Sequence, residues 1–194
     1  MNNYQIFKNF QKHIPLSNSE KEYLMSLIKI KTISKKEFIL KQGQICKKIY
    51  FVEFGSLRAF NIDAKGKETT IMFAVKDWWI TDMNCFVNKT PALLSIEALE
   101  NSMVMELDFN LLEELYQKLP KFERFFRILF QNAYIREQQR ALYNSSFTTE
   151  ERYIQFVEKY PTVFKKVTQK QIASYLGVTP EFLSSVKNST LKLS

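Results

Sequence analysis

Few residues in this chain could carry chemistry. His13 is the only histidine, and Cys46 and Cys85 are the only cysteines. One histidine cannot build a His-based metal site, and two thiols this far apart in sequence form neither a metal motif, a disulfide framework nor a four-cysteine iron–sulfur set within one chain. His13, flanked by lysine, reads as a solvated side chain. No Gly-rich phosphate loop and no Ser/Cys–His pairing is present, so no catalytic residues, no metal and no cofactor are expected. What remains is a stretch of hydrogen-bonding groups on a helical frame, TQKQIASYLGVTPEFLSS, from Thr168 to Ser185. Thr168 can cap a helix whose inward face is Ile172, Ala173 and Leu176. Gly177 supplies the positive φ of a tight turn, Thr179 caps a second helix, and Pro180 suits its first position. Phe182, Leu183 and Val186 are read as inward. Thr179, Glu181, Ser184, Ser185, Lys187 and Asn188 are read as outward.

An outward face of small polar groups at the start of a second helix suits a major groove, and the buried spacing favours DNA reading over an ordinary αα-corner. Glu181 can accept from a cytosine amino group, while Thr179, Ser184 and Ser185 can touch bases or phosphates. Backbone affinity would come from Lys165, Lys166, Lys170, Lys187 and Lys192, with Thr168 and Gln169 at the first helix's amino end.

The elements that must position this hairpin can be read along the 194 residues. The chain is 45% apolar with 17 Phe, ample for a core. Net charge is +8. Residues 1–50 carry 10 basic and 3 acidic residues (+7), 51–147 carry 11 and 13 (−2), and 148–194 carry 7 and 4 (+3). That balance fits a polyanionic partner but fits a lysine-rich solvated surface equally well. No run approaches the roughly 18 uncharged apolar residues of a membrane span. The N-terminus lacks the basic-then-apolar order of a secretory signal, so a cytoplasmic protein with no membrane partner is expected.

Two short helices should open the chain, the second running through residues 17–30 from a cap at Ser17 or Ser19. From Glu37 to Asp108, short β-branched and aromatic runs punctuated by Gly43, Gly55 and Gly66 read as strands of a compact antiparallel barrel or roll, with 56–62 and 68–75 as a hairpin. After Asp108 a helix ends before Pro120. A long helix then runs from Pro120 to about Ser145. Its seam of Phe125, Ile128, Asn132, Ile135, Gln139 and Leu142 at seven-residue spacing predicts a homodimer interface, while a second apolar stripe faces its own domain. Val163 and Val167 alternate as in a small strand before the hairpin.

FVEFGSLRAF (51–60), EALENSMVMELD (97–108) and TQKQIASYLGVTPEFLS (168–184), with nearly the whole arrangement around them, resemble the Crp/Fnr family of bacterial transcription regulators. The resemblance implies an α+β chain with three parts. Residues 1–119 would form a cyclic-nucleotide-binding-like β-roll (a jelly-roll-like double-stranded β-helix), 120–146 a dimerisation helix, and 147–194 a winged helix-turn-helix. It implies a homodimer on a palindromic double-stranded operator, and RNA polymerase as a further partner. It leaves the small-molecule effector unidentified.

Two departures from the family pattern matter. Where cyclic-nucleotide members carry Gly–Glu and Arg–Ser/Thr pairs, this chain has Thr81–Asp82 and Ala92–Leu93, so the phosphate clamp is missing and no cyclic AMP response is expected. Arg58, on another strand, could substitute; Trp78, Trp79, Met83, Phe86 and Leu93 either line an apolar cavity or simply fill the roll. Where the family commonly places arginine on the recognition helix stand Pro180 and Ser185, which removes bidentate guanine readout from those positions. Two other functions compete: a β-roll sensor or partner-binding protein without DNA reading, and a cupin-type enzyme, which the single histidine disfavours.

Overall fold

The structure, a computed structural model, describes residues 4–190. Two helices, α1 (Gln5–Gln11) and α2 (Asn18–Leu27), precede eight strands. Strands β1 (Lys29–Ile33), β8 (Ser102–Asp108), β3 (Lys48–Phe54) and β6 (Trp79–Ile80) form one antiparallel sheet in that spatial order. Strands β2 (Phe38–Leu40), β7 (Ser95–Ala98), β4 (Ser56–Ile62) and β5 (Glu68–Val75) form the other. The expected hairpin pairs from Ser56↔Val75 to Ile62↔Glu68, with one irregularity between Ala59 and Phe60. Helix α3 (Met83–Asn88) interrupts the strands, and α4 (Phe109–Lys118) leads to the long α5 (Lys121–Ser146). Four helices end the described chain: α6 (Thr149–Lys159), α7 (Pro161–Phe164), α8 (Gln169–Leu176) and α9 (Pro180–Thr190).

Local signals set several of these boundaries. Ser17 begins α2 with a full capping box, its side chain accepting from the Glu20 N–H while Glu20 returns a bond to the Ser17 N–H. The helix stops at Leu27, not at 30, because Lys29–Ile33 pairs in register with Glu106–Ser102 of β8. The alternating KIKTI run is a strand whose partner lies far along the chain. Val163 does not sit in a strand. Pro161 starts α7 at a first helical position, and Val163 is buried among the C-terminal helices. Among the described residues no strand follows β8, so the expected wing is absent from 147–190.

The main core lies between the sheets and under α1, α4 and α5. Its densest part is aromatic. Phe10 sits 5.0 Å from Phe122 and 4.6 Å from Phe125, ring centre to ring centre, and Trp79 lies 5.4 Å from Phe126. Each fully buried ring contributes about 1.5–3 kcal/mol by removal from water, so the first half of α5 is fixed on the roll. Asn9 adds a polar tie, accepting from Trp79 Nε1 at 2.9 Å and donating to the Asp77 carboxylate at 2.9 Å. A second, smaller core holds the C-terminal helices together and takes in Phe73 and Val75 from the outer face of β5.

Gly55 turns β3 into β4 at φ +92°, and a Cβ placed there would lie 2.1 Å from Ser102 Oγ and 2.8 Å from Ser102 Cα. Gly66 also has positive φ, but a Cβ there meets nothing within 4 Å. Gly55→Ala is expected to cost about 2 kcal/mol or more, from backbone strain plus overpacking. Gly66→Ala carries the strain alone. Urea unfolding midpoints that rank the two substitutions equally would contradict this account of the β3–β4 corner.

Candidate nucleic-acid interface

The hairpin forms as its caps require. Thr168 and Gln171 make a reciprocal capping box at the start of α8. Gly177 ends the helix in the left-handed region (φ 73°, ψ 25°), and the Val178 N–H returns to Ala173 O at 3.0 Å. Thr179 Oγ1 accepts from the Phe182 N–H at 3.2 Å and so caps α9. Ile172, Ala173, Leu176, Leu183 and Val186 are buried, as the spacing predicts. Thr168, Lys170, Thr179, Glu181, Ser184 and Ser185 are exposed, with Gln169 and Pro180 half-buried. The side chains of Lys187 and Asn188, and Lys192 altogether, lie outside the described residues.

Phe182 is a correction. It does not face inward; it is 51% exposed. Leu183 and Val186 already fill the inner stripe of α9, and one residue earlier the helix has turned by about 100°, which carries Phe182 to the flank of the polar face. This places an aromatic ring beside the exposed Thr179, Glu181 and Ser185, which the sequence pattern hides. Lys166 is also displaced from its expected role, since its ammonium bonds Glu100 Oε1 of the roll at 2.5 Å.

The hairpin rests on the outer face of β5. Ser174 Oγ donates to Glu68 O at 2.8 Å and accepts from the Thr70 N–H at 2.8 Å. Arg140, on α5, spans the junction: its guanidinium donates to the carbonyls of Ile71, Thr70 (3.2 Å) and Tyr175 (3.4 Å). Burial would raise the Glu100 carboxyl, but hydrogen bonds from Lys166 and Ser56 outweigh it and hold that group below the ordinary range. The polar face of α9 therefore projects from a hairpin tied to the roll by polar bonds at three places.

The seven residues expected to form a ligand pocket do not come together in one: Trp79, Thr81 and Met83 border a cavity that Arg58, Asp82, Ala92 and Leu93 do not line. Arg58 lies between Glu97 and Phe73 on neighbouring strands, on the outer face that the C-terminal helices cover. Its guanidinium bonds Glu97 at 2.6 Å and Glu68 at 2.7 Å and stacks 4.0 Å from the Phe60 ring centre. Two carboxylates already neutralise it, so it is no substitute phosphate clamp. Asp82 is 3% exposed and serves the backbone. It caps α3 by accepting from the Cys85 N–H at 3.1 Å, and its second oxygen accepts from the N–H groups of Leu93 (2.8 Å) and Leu94 (3.0 Å). Ala92 is buried and bonded through its backbone to Gln44 and Gly43, whereas the Leu93 side chain is exposed. Trp79 belongs to the aromatic core, Thr81 Oγ1 bonds Lys48 O at 2.9 Å, and Met83 is exposed.

The long seam of α5 divides. Phe125 is 1% exposed inside its own chain and has no surface to offer a partner, because the Phe10 and Trp79 rings claim it. Ile128 is half-buried, and Asn132, Ile135, Gln139 and Leu142 are exposed along the second half of the helix. Among the described residues no group of three or more His, Cys, Asp or Glu could hold a metal, and no helix is long and apolar enough to cross a membrane.

Known proteins share this arrangement. Residues 30–119 match the cyclic nucleotide-binding domain. Electron transport regulator A of Shewanella oneidensis is 28% identical over 165 residues, which are 79% of this chain and 65% of that protein. The chain thus spans just under two thirds of that relative's length. The fumarate and nitrate reduction regulatory protein of Vibrio cholerae is 26% identical over 181 residues, 87% of this chain and 72% of that one. A solved structure from Eubacterium rectale, assigned to the crp/fnr transcriptional regulators, superposes with a TM-score of 0.71 at 15% identity, covering 90% of this chain and 85% of that one. At such identity the superposition speaks for the fold alone. Residues 30–119 thus carry the likeness to a cyclic nucleotide-binding domain, and the chain is similar to these transcription regulators along most of its length and shares the fold of the crp/fnr regulators.

Proposed function

We propose that this chain is a cytoplasmic, homodimeric transcription regulator that reads a palindromic double-stranded operator through α8 and α9, and that it does so without cyclic AMP. One observation carries the reading: a sealed two-helix hairpin turned at Gly177, whose second helix leaves Thr179, Glu181, Phe182, Ser184 and Ser185 outside its core. That pattern suits a helix entering a major groove amino end first. The family relatives are themselves named as regulators. We divide the chain into a roll at 1–119, a dimerisation helix at 120–146 and a DNA-binding unit at 147–194, with RNA polymerase as a further partner of the bound dimer; the separate core of the C-terminal helices supports the last of these units. The exposed half-seam Asn132, Ile135, Gln139 and Leu142, continued by Ile128, supplies the dimer contact. No step requires an enzyme's chemistry.

Within the interface the roles differ. Glu181 is the base-reading carboxylate, Lys170 and Lys165 are phosphate contacts, and Phe182 offers a ring to a thymine methyl group. Against cyclic nucleotides stand Ala92 and Leu93, which carry no cation, and Asp82, whose carboxylate already holds the Leu93 and Leu94 N–H groups. A phosphate there would meet a negative charge with no counter-charge.

Selecting fragments bound by the purified protein tests DNA reading and reports the motif together. On the selected site, affinity should fall steeply with salt, and Lys170→Ala should weaken all sequences alike and shallow the salt slope by about 1. Glu181→Ala should instead relax preference at one base pair, at a cost of about 1–3 kcal/mol there. Replacing thymine by uracil at the contacted position should weaken the wild type and leave Phe182→Ala indifferent. Recovery of no enriched motif, with affinity insensitive to these changes, would favour a roll-type sensor that does not read DNA. In titration calorimetry, cyclic AMP is expected to give no binding heat; micromolar affinity would refute the missing-clamp argument.

A further inference from the structure

A cavity of about 260 Å³ lies where the roll, the second half of α5 and the C-terminal helices meet. Its walls are largely aromatic. Trp78 packs 5.8 Å from Tyr160, Tyr160 lies 5.8 Å from Phe156, and Phe156 lies 5.3 Å from Tyr175. The charged lining residues are four cations, Arg136, Arg140, Arg152 and Lys159, against one carboxylate, Glu137, whose side chain is 63% exposed.

The cations are not equivalent. Arg140 is spent on three backbone carbonyls. Arg152 commits its outer nitrogens to Asn144, Thr149 and Leu176 O, but its Nε is buried with no hydrogen-bond partner. Arg136 lies over the Trp78 ring at 5.8 Å and makes no hydrogen bond or ion pair among the described residues. Asp77, in the pocket that adjoins it, does not serve Arg136; Gln5, Asn9 and Lys12 occupy that carboxylate. The hydroxyls of Tyr160 and Tyr175 likewise have no hydrogen-bond partner among the described residues. Burial raises both phenols, Tyr175 to about 12, so they stay protonated donors at neutral pH.

The Arg136 guanidinium, Arg152 Nε and the two phenols are thus donors without protein acceptors, the Glu137 carboxylate is largely exposed, and the surplus charge is positive. Buried donors without acceptors cost stability unless something supplies the acceptors. We propose that the cavity binds a small organic anion, an aromatic or aliphatic acid, whose apolar body lies among the aromatic rings and whose acid group takes Arg136 as its counter-charge. This is not the position at which the family pattern would place a cyclic phosphate: Asp82, Ala92 and Leu93 do not line the cavity, although Trp79, Thr81 and Met83 edge it. The proposal does not depend on DNA reading. Because α5, β5, α6 and α8 all contribute walls, an occupant would fix the hairpin's placement on the roll.

The test uses the full chain and the fluorescent acid 8-anilinonaphthalene-1-sulfonate, with neutral N-phenyl-1-naphthylamine as its uncharged counterpart. The sulfonate should bind at one saturable site per chain, at least tenfold more tightly than the neutral amine. Arg136→Met should weaken the sulfonate at least tenfold and leave the amine unchanged, while Arg136→Lys keeps most of the affinity. Ala133→Trp, which fills the cavity from α5 and removes no donor, should abolish binding of both. Near-UV circular dichroism identifies any variant that has lost its packing, and the remaining variants then decide. Non-saturable binding, equal affinity for the two probes, or unchanged sulfonate binding in folded Arg136→Met or Ala133→Trp would each overturn the proposal.

Discussion

The molecule depends on how Phe10 is enclosed. Its ring contacts Phe122, Phe125, Phe126 and Trp79, so one residue of a seven-residue helix joins the N-terminal segment, the edge strand β6 and the start of α5. Edge-to-face aromatic pairs contribute about 0.5–1.5 kcal/mol each beyond the area they bury, and here they act together. The Asn9 tie to Trp79 and Asp77 satisfies the polar atoms that this packing removes from water. The result is a helix whose first turns lie in the apolar core of the roll and whose later turns meet the roll mainly through Arg136 and Arg140. All that happens at the far end of α5 follows from that fixed beginning.

Beyond Phe130 the helix does two jobs on opposite sides. One side carries the exposed seam from Asn132 to Leu142. The other carries Arg136 and Arg140 toward the roll and the hairpin. Arg140 is the joint: it donates to carbonyls of β5 and of α8 at once, so neither the roll nor the hairpin can shift along α5 without giving up a charged hydrogen bond. Ser174 and Lys166 add uncharged and charged ties on either side. The junction thus combines these polar bonds with an apolar contact, Phe73 and Val75 of β5 packed among the C-terminal helices, beside an open cavity.

Much of this was legible where structure is decided locally. The caps at Ser17, Thr168 and Thr179 and the turn at Gly177 are encoded within four residues of where they act, and the hairpin between β4 and β5 follows from alternation plus Gly66. The errors arise where a distant partner decides. KIKTI extends a helical run until β8 pairs with it, and PTVF alternates like a strand although no edge is there to pair it. Phe125 fits the heptad seam, but the seam's spacing cannot reveal that Phe10 reaches it first. Phe182 sits one residue from the inner stripe, where periodicity alone does not say which side of the boundary a ring takes. Arg58 and Asp82 were visible as charges; their partners, Glu97, Glu68 and the Leu93–Leu94 backbone, were not.

Asp82 has a consequence of another kind. A diffusible anion that organised the 91–94 segment would do so in proportion to its concentration, and the segment's order would report on the composition of the cell. A carboxylate carried on the same chain has a local concentration that no metabolic change can alter. The N–H groups of Leu93 and Leu94 are therefore in permanent saturation, and the arrangement of α3 against this loop is a constant of the folded protein instead of a variable.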